Sequence, residues 1–186
     1  MAVNPFNPAN AEKALVEIKD IFDGLGLELI LIGGTCLGAY RDKSFCAGDK
    51  DIDFAVLHEC FKEKIYDVVK VLSGRGCISM VYSYPYTYAR ALHTSLYGVR
   101  IDIVDYDLKN GIRFSAHSKK DYCLVYPARL FEDMETIELY GKAFKMPSPV
   151  EEYLTTHYTE SWRKPDPDDF GGRNKDWGFW NAKDNK

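Results

Sequence analysis

Between Lys50 and Val56 two aspartates alternate with apolar residues, Asp51-Ile52-Asp53-Phe54, and this alternation constrains the fold more than any other stretch. A period of two marks a strand, in which residues two apart lie on one face with α-carbons about 7 Å apart. Ile52 and Phe54 therefore turn toward a core. Asp51 and Asp53 project together from the opposite face.

The flanking patterns supply the rest of a sheet and its helices. Ala11, Ala14, Leu15, Ile18, Ile21 and Phe22 recur at helical spacing, with Asn7-Pro8 or Asn10 as a start and Gly24 and Gly26 as an end. A buried strand is predicted over Glu28 to Ile32, then a glycine turn at Gly33-Gly34. After the Asp51 strand, Phe61, Ile65, Val68, Val69 and Leu72 mark a second helix, closed by Gly74 and Gly76. Strands follow over Cys77 to Tyr84, Thr87 to Tyr97 and Val99 to Tyr106. Lys109-Asn110-Gly111 turns a hairpin into Ile112 to Ala116. Glu135 to Tyr140 and Lys142 to Met146 form another across Gly141. Ser148, Pro149 and Glu151 read as the cap, first turn and capping box of a last helix, whose apolar face is Val150, Tyr153, Leu154, His157 and Tyr158. The order predicts an α+β fold around a mixed β-sheet. With 186 residues and no repeat, one domain is expected over residues 1–165. Of the three tryptophans, Trp162, Trp177 and Trp180, two lie in the tail 166–186. Their large apolar area predicts that the tail folds back on the body.

Composition narrows the function. Acidic residues outnumber basic ones by 28 to 24, a net charge of −4, whereas a general nucleic-acid binder carries a basic excess. The five cysteines, Cys36, Cys46, Cys60, Cys77 and Cys123, are odd in number and form no C-x-x-C pair. That argues against a disulfide framework or a cysteine-rich zinc site, and for a reducing compartment. Met1 to Asn10 does not read as a signal peptide, and the apolar run Leu25 to Ile32 falls far below the roughly 20 residues of a membrane span. A soluble, cytoplasmic protein is expected.

The chemistry is concentrated in three places. Two carboxylates converging from one strand suit hard divalent cations such as Mg²⁺, which take oxygen ligands. Two such ions about 3.5–4 Å apart can clamp the attacking and leaving oxygens of a phosphoryl transfer. Gly33 and Gly34 lack Cβ atoms and let backbone N–H groups approach phosphate, while Thr35 adds a hydroxyl ahead of a helix start that favours anions. Asp102 lies between Ile101 and Ile103, a costly place for a charge unless it meets a cation. It is the candidate to complete the metal site or to deprotonate the acceptor. Asp105 points to the other face and is the weaker candidate. Arg41 is the first choice among the arginines for donor phosphates, ahead of Arg90 and Arg100. His58, His93 and His117 show no metal-ligand spacing, and His157 sits on an apolar helix face where packing explains it. Tyr82, Tyr84, Tyr86 and Tyr88 alternate along one strand face, which packing explains better than a sugar or base pocket.

Gly33-Gly34-Thr35-Cys36-Leu37-Gly38-Ala39-Tyr40-Arg41, followed by Asp49-Lys50-Asp51-Ile52-Asp53, resembles the LicD-type phosphotransferase family, which includes fukutin-like proteins. The resemblance spans roughly residues 10–165, weakly so at Met146-Pro147, Glu152-Tyr153-Leu154 and His157-Tyr158. It implies a nucleotidyltransferase-like fold, with Asp51 and Asp53 as metal ligands for Mg²⁺ or Mn²⁺. It also implies a phosphocholine or phosphoalditol group moved from a CDP-activated donor to a glycan hydroxyl, as in cell-surface glycan biosynthesis. Lys50 stands where relatives often carry another Asp, and the chain is shorter than many of them, which bears on the substrate more than on the fold. The alternative is a nucleotidyltransferase that passes a nucleoside monophosphate from an NTP to a small molecule or an RNA end.

Overall fold

The first helix forms where its periodicity and start signals place it. In α1 (Pro8–Gly24) the Asn7 side chain caps the N-terminus by accepting the Asn10 N–H at 3.1 Å, and Pro8 occupies the first turn, where a missing N–H costs nothing. Its buried face is Ala11, Ala14, Leu15, Ile18, Ile21 and Phe22. The computed structural model describes residues 6–83, 90–116, 122–164 and 180–181. After α1 come β1 (Ile30–Leu31), α2 (Gly33–Arg41), β2 (Asp51–Leu57), α3 (His58–Phe61), α4 (Ile65–Gly74), β3 (Met80–Ser83), β4 (Arg90–Leu96) and β5 (Val99–Lys109). The second half holds β6 (Ile112–Ala116), β7 (Tyr122–Pro127), β8 (Glu135–Leu139), β9 (Lys142–Met146), α5 (Val150–Tyr158) and β10 (Trp180–Asn181).

The sheet runs β10-β7-β6-β5-β2-β1-β9-β8, with β4 also on β5 and β3 on β4. It is mixed: β2 lies parallel to β5 and β1 parallel to β9, and the other pairs are antiparallel. The expected α+β class and mixed sheet with flanking helices are therefore present. Two-residue turns set three registers, one of them at Tyr140-Gly141 between β8 and β9. Tyr97-Gly98 between β4 and β5, and Asn110-Gly111 between β5 and β6, hold both residues at positive φ, the geometry that matches strand twist in tight hairpins.

The core lies on the side of β2 and β5 opposite the aspartates. Ile52, Phe54, Ile101 and Ile103 are fully buried, and Phe54 stacks on Phe144 of β9 with ring centroids 6.0 Å apart. Each such side chain contributes about 1.5–3 kcal/mol through burial, which fixes the strand's facing. A slip of one residue would put the aspartates into this core.

Several local expectations differ from the structure. The buried strand shortens to β1, and the run from Cys77 shortens to β3. The helix through Phe61 and Leu72 splits into α3 and α4. β7 adds a strand whose sequence carries no clear alternation. The capping box at Ser148 does not form. Pro149 is the cap residue with no side-chain bond, Val150 N–H reaches Glu135 Oε1 at 3.3 Å, and Glu151 bonds Arg163 instead. Trp162 is buried, its indole N–H donating to Thr155 Oγ1 at 3.0 Å, and β10 pairs its backbone with β7. Tyr84, Tyr86, Tyr88, His117 and Trp177 lie outside the described residues.

Candidate divalent-cation and phosphate site

Cross-strand register assembles the acidic cluster. In the parallel pair, Asp51 lies opposite Arg100 and Asp53 opposite Asp102; in the antiparallel pair, His93 lies opposite Asp102. Asp53, Asp102 and His93 therefore form one row across β2, β5 and β4. Oxygens of Asp51, Asp53 and Asp102 all fall within 4.8 Å of one another, and all three residues are half-buried. Three carboxylates at this separation repel one another and offer only hard oxygen donors, the set that Mg²⁺ or Mn²⁺ prefers. The residues present fit a divalent cation.

Asp102 is held from two neighbouring strand positions. It accepts from His93 Nδ1 at 2.6 Å and Arg100 Nε at 2.9 Å on Oδ1, and from Arg100 Nη2 at 2.5 Å on Oδ2. Burial pushes its carboxyl up, but the bonds from His93 and Arg100 outweigh that and hold it below the usual carboxylate range. Asp49 behaves in the opposite way. Burial, aided by the negative charge of Asp51, raises it to about 6, against the pull of a 2.7 Å bond from Cys46 N–H.

Helix α2 walls the other side of the cluster. Gly33 and Gly34 are its first residues rather than a preceding turn. A Cβ on Gly33 would come 3.0 Å from Asp53 Oδ2, and one on Gly34 would come 3.1 Å from Asp49 Oδ1. These glycines therefore let the helix start lie directly on the carboxylates. The Gly33 N–H is taken by Tyr153 Oη at 3.0 Å, whereas Gly34 and Thr35 have no intrahelical carbonyl within reach. Thr35 Oγ1 accepts the Asp53 N–H at 2.9 Å, so its oxygen ties helix to strand. Arg41 is engaged by other partners. Its guanidinium bonds both oxygens of Asp42, at 2.9 and 2.8 Å, and the Trp162 carbonyl at 2.9 Å.

The structure thus brings Asp51, Asp53 and Asp102 together, lays Gly33, Gly34 and Thr35 beside them, and engages Arg41 elsewhere. His93, Asp49 and Arg100 are the neighbours that sequence reasoning undervalued. A signal for His93 existed: a two-residue hairpin at Tyr97-Gly98 forces it opposite Asp102. Tyr82 meets the His93 ring edge-on at 5.0 Å. His58 binds Asp105 and His157 binds Tyr126, both away from the cluster.

Comparisons with known proteins bear on the family and the fold. The LicD/FKTN/FKRP nucleotidyltransferase-domain family matches residues 26–149. No curated protein matches the chain. Among solved structures, the antibiotic-resistance factor ANT(2″)-Ia in solution is similar with a TM-score of 0.53 and 16% identity, over 88% of this chain and 77% of that one. Its crystal structure in complex with adenylyl-2″-tobramycin gives a TM-score of 0.50 and 15% identity, over 83% and 78%. At these identities the likeness shows the fold, that of a nucleotidyltransferase. The family match covers most of the chain, including the α2 start and all three aspartates, so this protein belongs to the LicD/FKTN/FKRP nucleotidyltransferase-domain family, transferases of phosphorus-containing groups.

Proposed function

We propose that this chain moves a phosphocholine- or phosphoalditol-type group from a CDP-activated donor to the hydroxyl of a glycan or small-molecule acceptor, with Mg²⁺ or Mn²⁺ held by Asp51, Asp53 and Asp102. The convergence of these three carboxylate oxygens within 4.8 Å, on a strand pair abutting a helix N-terminus, carries the reading. The bound cation supplies charge neutralisation of the phosphates and of the charge that develops during transfer. Gly34 and Thr35 offer N–H groups to the donor phosphates at the α2 start. In the transfer the acceptor oxygen bonds to the donor's distal phosphorus, and the bond from that phosphorus to the CMP oxygen breaks. CMP leaves with the electron pair, and the acceptor proton passes to Asp102, whose Oδ1 His93 Nδ1 holds at 2.6 Å. The family resemblance supports a CDP-linked donor, and the acidic balance of the chain supports a small-molecule or glycan acceptor over bulk nucleic acid.

A thermal-shift comparison of CDP-choline, CTP and ATP, each with and without Mg²⁺, tests this. A ligand at 100 times its Kd stabilises by about 2.7 kcal/mol. The expected result is the largest shift with CDP-choline, and only with metal. A shift confined to the triphosphates would move the function to nucleoside-monophosphate transfer onto a small molecule or RNA end. No shift with any of the three would refute both.

A further inference from the structure

Arg100 stands in an unusual place for a surface arginine. It lies two residues before Asp102 on the same face of β5 and directly opposite Asp51, and its fork covers both oxygens of Asp102. Yet 57% of its side chain is exposed, against 14% for Asp102. With the guanidinium this open to water, solvent screens much of the pair's contribution to stability, and the fork stays accessible to a ligand. The second partner of Asp102, His93, approaches from β4 and touches only Oδ1. Among the described residues, Arg100 is the group bonded to Oδ2.

Those oxygens are also the ones a cation at the cluster would use. A guanidinium and a divalent ion compete for the same lone pairs, so loading the site displaces Arg100 from at least one of them. The donor then brings phosphate oxygens to the same spot, and a planar guanidinium fork matches them in bidentate fashion. The other arginines singled out by the sequence are occupied. Arg41 is locked on Asp42 and the Trp162 carbonyl, and Arg90 reaches the Lys62 carbonyl at 3.1 Å.

We propose that Arg100 is the donor-phosphate ligand of this site and that Asp102 is its resting partner, so that loading is an exchange of counter-ions. Metal takes Asp102 from Arg100, and the donor phosphate takes Arg100 from Asp102. The proposal rests on the reading of the cluster as a cation and phosphate site, and it names the residue that couples the two ligands.

Calorimetric titration of Mn²⁺ alone, and of CDP at saturating Mn²⁺, into wild type, Arg100→Met, Arg100→Lys and Asp51→Asn tests it. Arg100→Met should bind Mn²⁺ about tenfold tighter, because a competitor for Asp102 is gone. It should bind CDP about 10- to 100-fold weaker, because a charge-assisted fork is lost. Arg100→Lys should restore wild-type Mn²⁺ affinity and only part of the CDP affinity, since an ammonium is a point charge. Opposite shifts of the two affinities are the signature, and a role in folding alone would not produce them. Unchanged affinities, or affinities that move in the same direction, overturn the proposal. Asp51→Asn separates the two layers: if it abolishes Mn²⁺ binding while the Arg100 variants show no opposed shifts, only the exchange is wrong. If Mn²⁺ binding survives Asp51→Asn, the cation site itself is wrong and the exchange falls with it.

Discussion

Two of the three aspartates on strand β5 stand three residues apart, and each meets a histidine through Nδ1: Asp102 with His93 at 2.6 Å, Asp105 with His58 at 2.8 Å. Their surroundings differ in every other respect. Asp102 is half-buried among two further carboxylates and an exposed arginine. Asp105 is fully buried on the other face, where its second oxygen accepts the Arg90 N–H at 2.6 Å. The ionisation of the two shifts in opposite directions. Hydrogen bonds from His93 and Arg100 outweigh burial at Asp102 and lower it, while burial outweighs His58 and the Arg90 N–H at Asp105 and raises it. An Asp–His contact is thus no mark of catalysis by itself. What separates a site from a structural bond is the company of like charges left facing solvent.

The comparison breaks most clearly on activity. Asp102→Asn should slow the transfer step by about 10²–10⁴-fold, the worth of a positioned proton acceptor. Asp105→Asn should leave turnover close to wild type, because its side chain faces away from the cluster. Single-turnover rates at saturating donor and metal decide it. A crippled Asp105→Asn beside an active Asp102→Asn would reverse the two faces.

A smaller effect, in stability, sharpens the other half. Asp105→Ala strips the Arg90 N–H and His58 Nδ1 of their acceptor and should cost about 1–3 kcal/mol in urea unfolding. The sign with pH also follows. Because the folded state raises Asp105, its contribution is full below the unfolded carboxylate value of about 3.9 and is lost as pH climbs through the folded value. The wild type should therefore lose stability relative to Asp105→Asn across that window. A difference that grows in the wild type's favour as pH rises there would show that the His58 pair, not burial, governs this group.

How much of this was legible in the chain depended on how local the cause was. The α1 helix and its Asn7 cap, the Asp51-Ile52-Asp53-Phe54 facing and the Asn110-Gly111 hairpin all rest on residues within a few positions of one another, and they could be read directly. The approach of Asp102 to Asp53 needs the parallel pairing of β2 with β5, a contact between segments about fifty residues apart that no local pattern specifies. Gly33 and Gly34 read as a turn because glycine usually serves one. Here the space they vacate is filled by Asp53 and Asp49, and the Gly33 N–H is met by Tyr153 from 120 residues away. The expected capping box failed for the same reason, since Glu135 and Arg163 outcompete the local partners. Arg41 looked like the phosphate arginine from its place in the motif, and nothing local revealed that the Trp162 carbonyl would hold its guanidinium.

The central claim is that Asp51, Asp53 and Asp102 together bind a divalent cation, and Mn²⁺ titration followed by electron paramagnetic resonance tests it most directly. The wild type should take up Mn²⁺ from solution, while Asp53→Asn, folded by circular dichroism, should leave the free Mn²⁺ signal nearly undiminished. Equal Mn²⁺ uptake by wild type and Asp53→Asn would contradict the account.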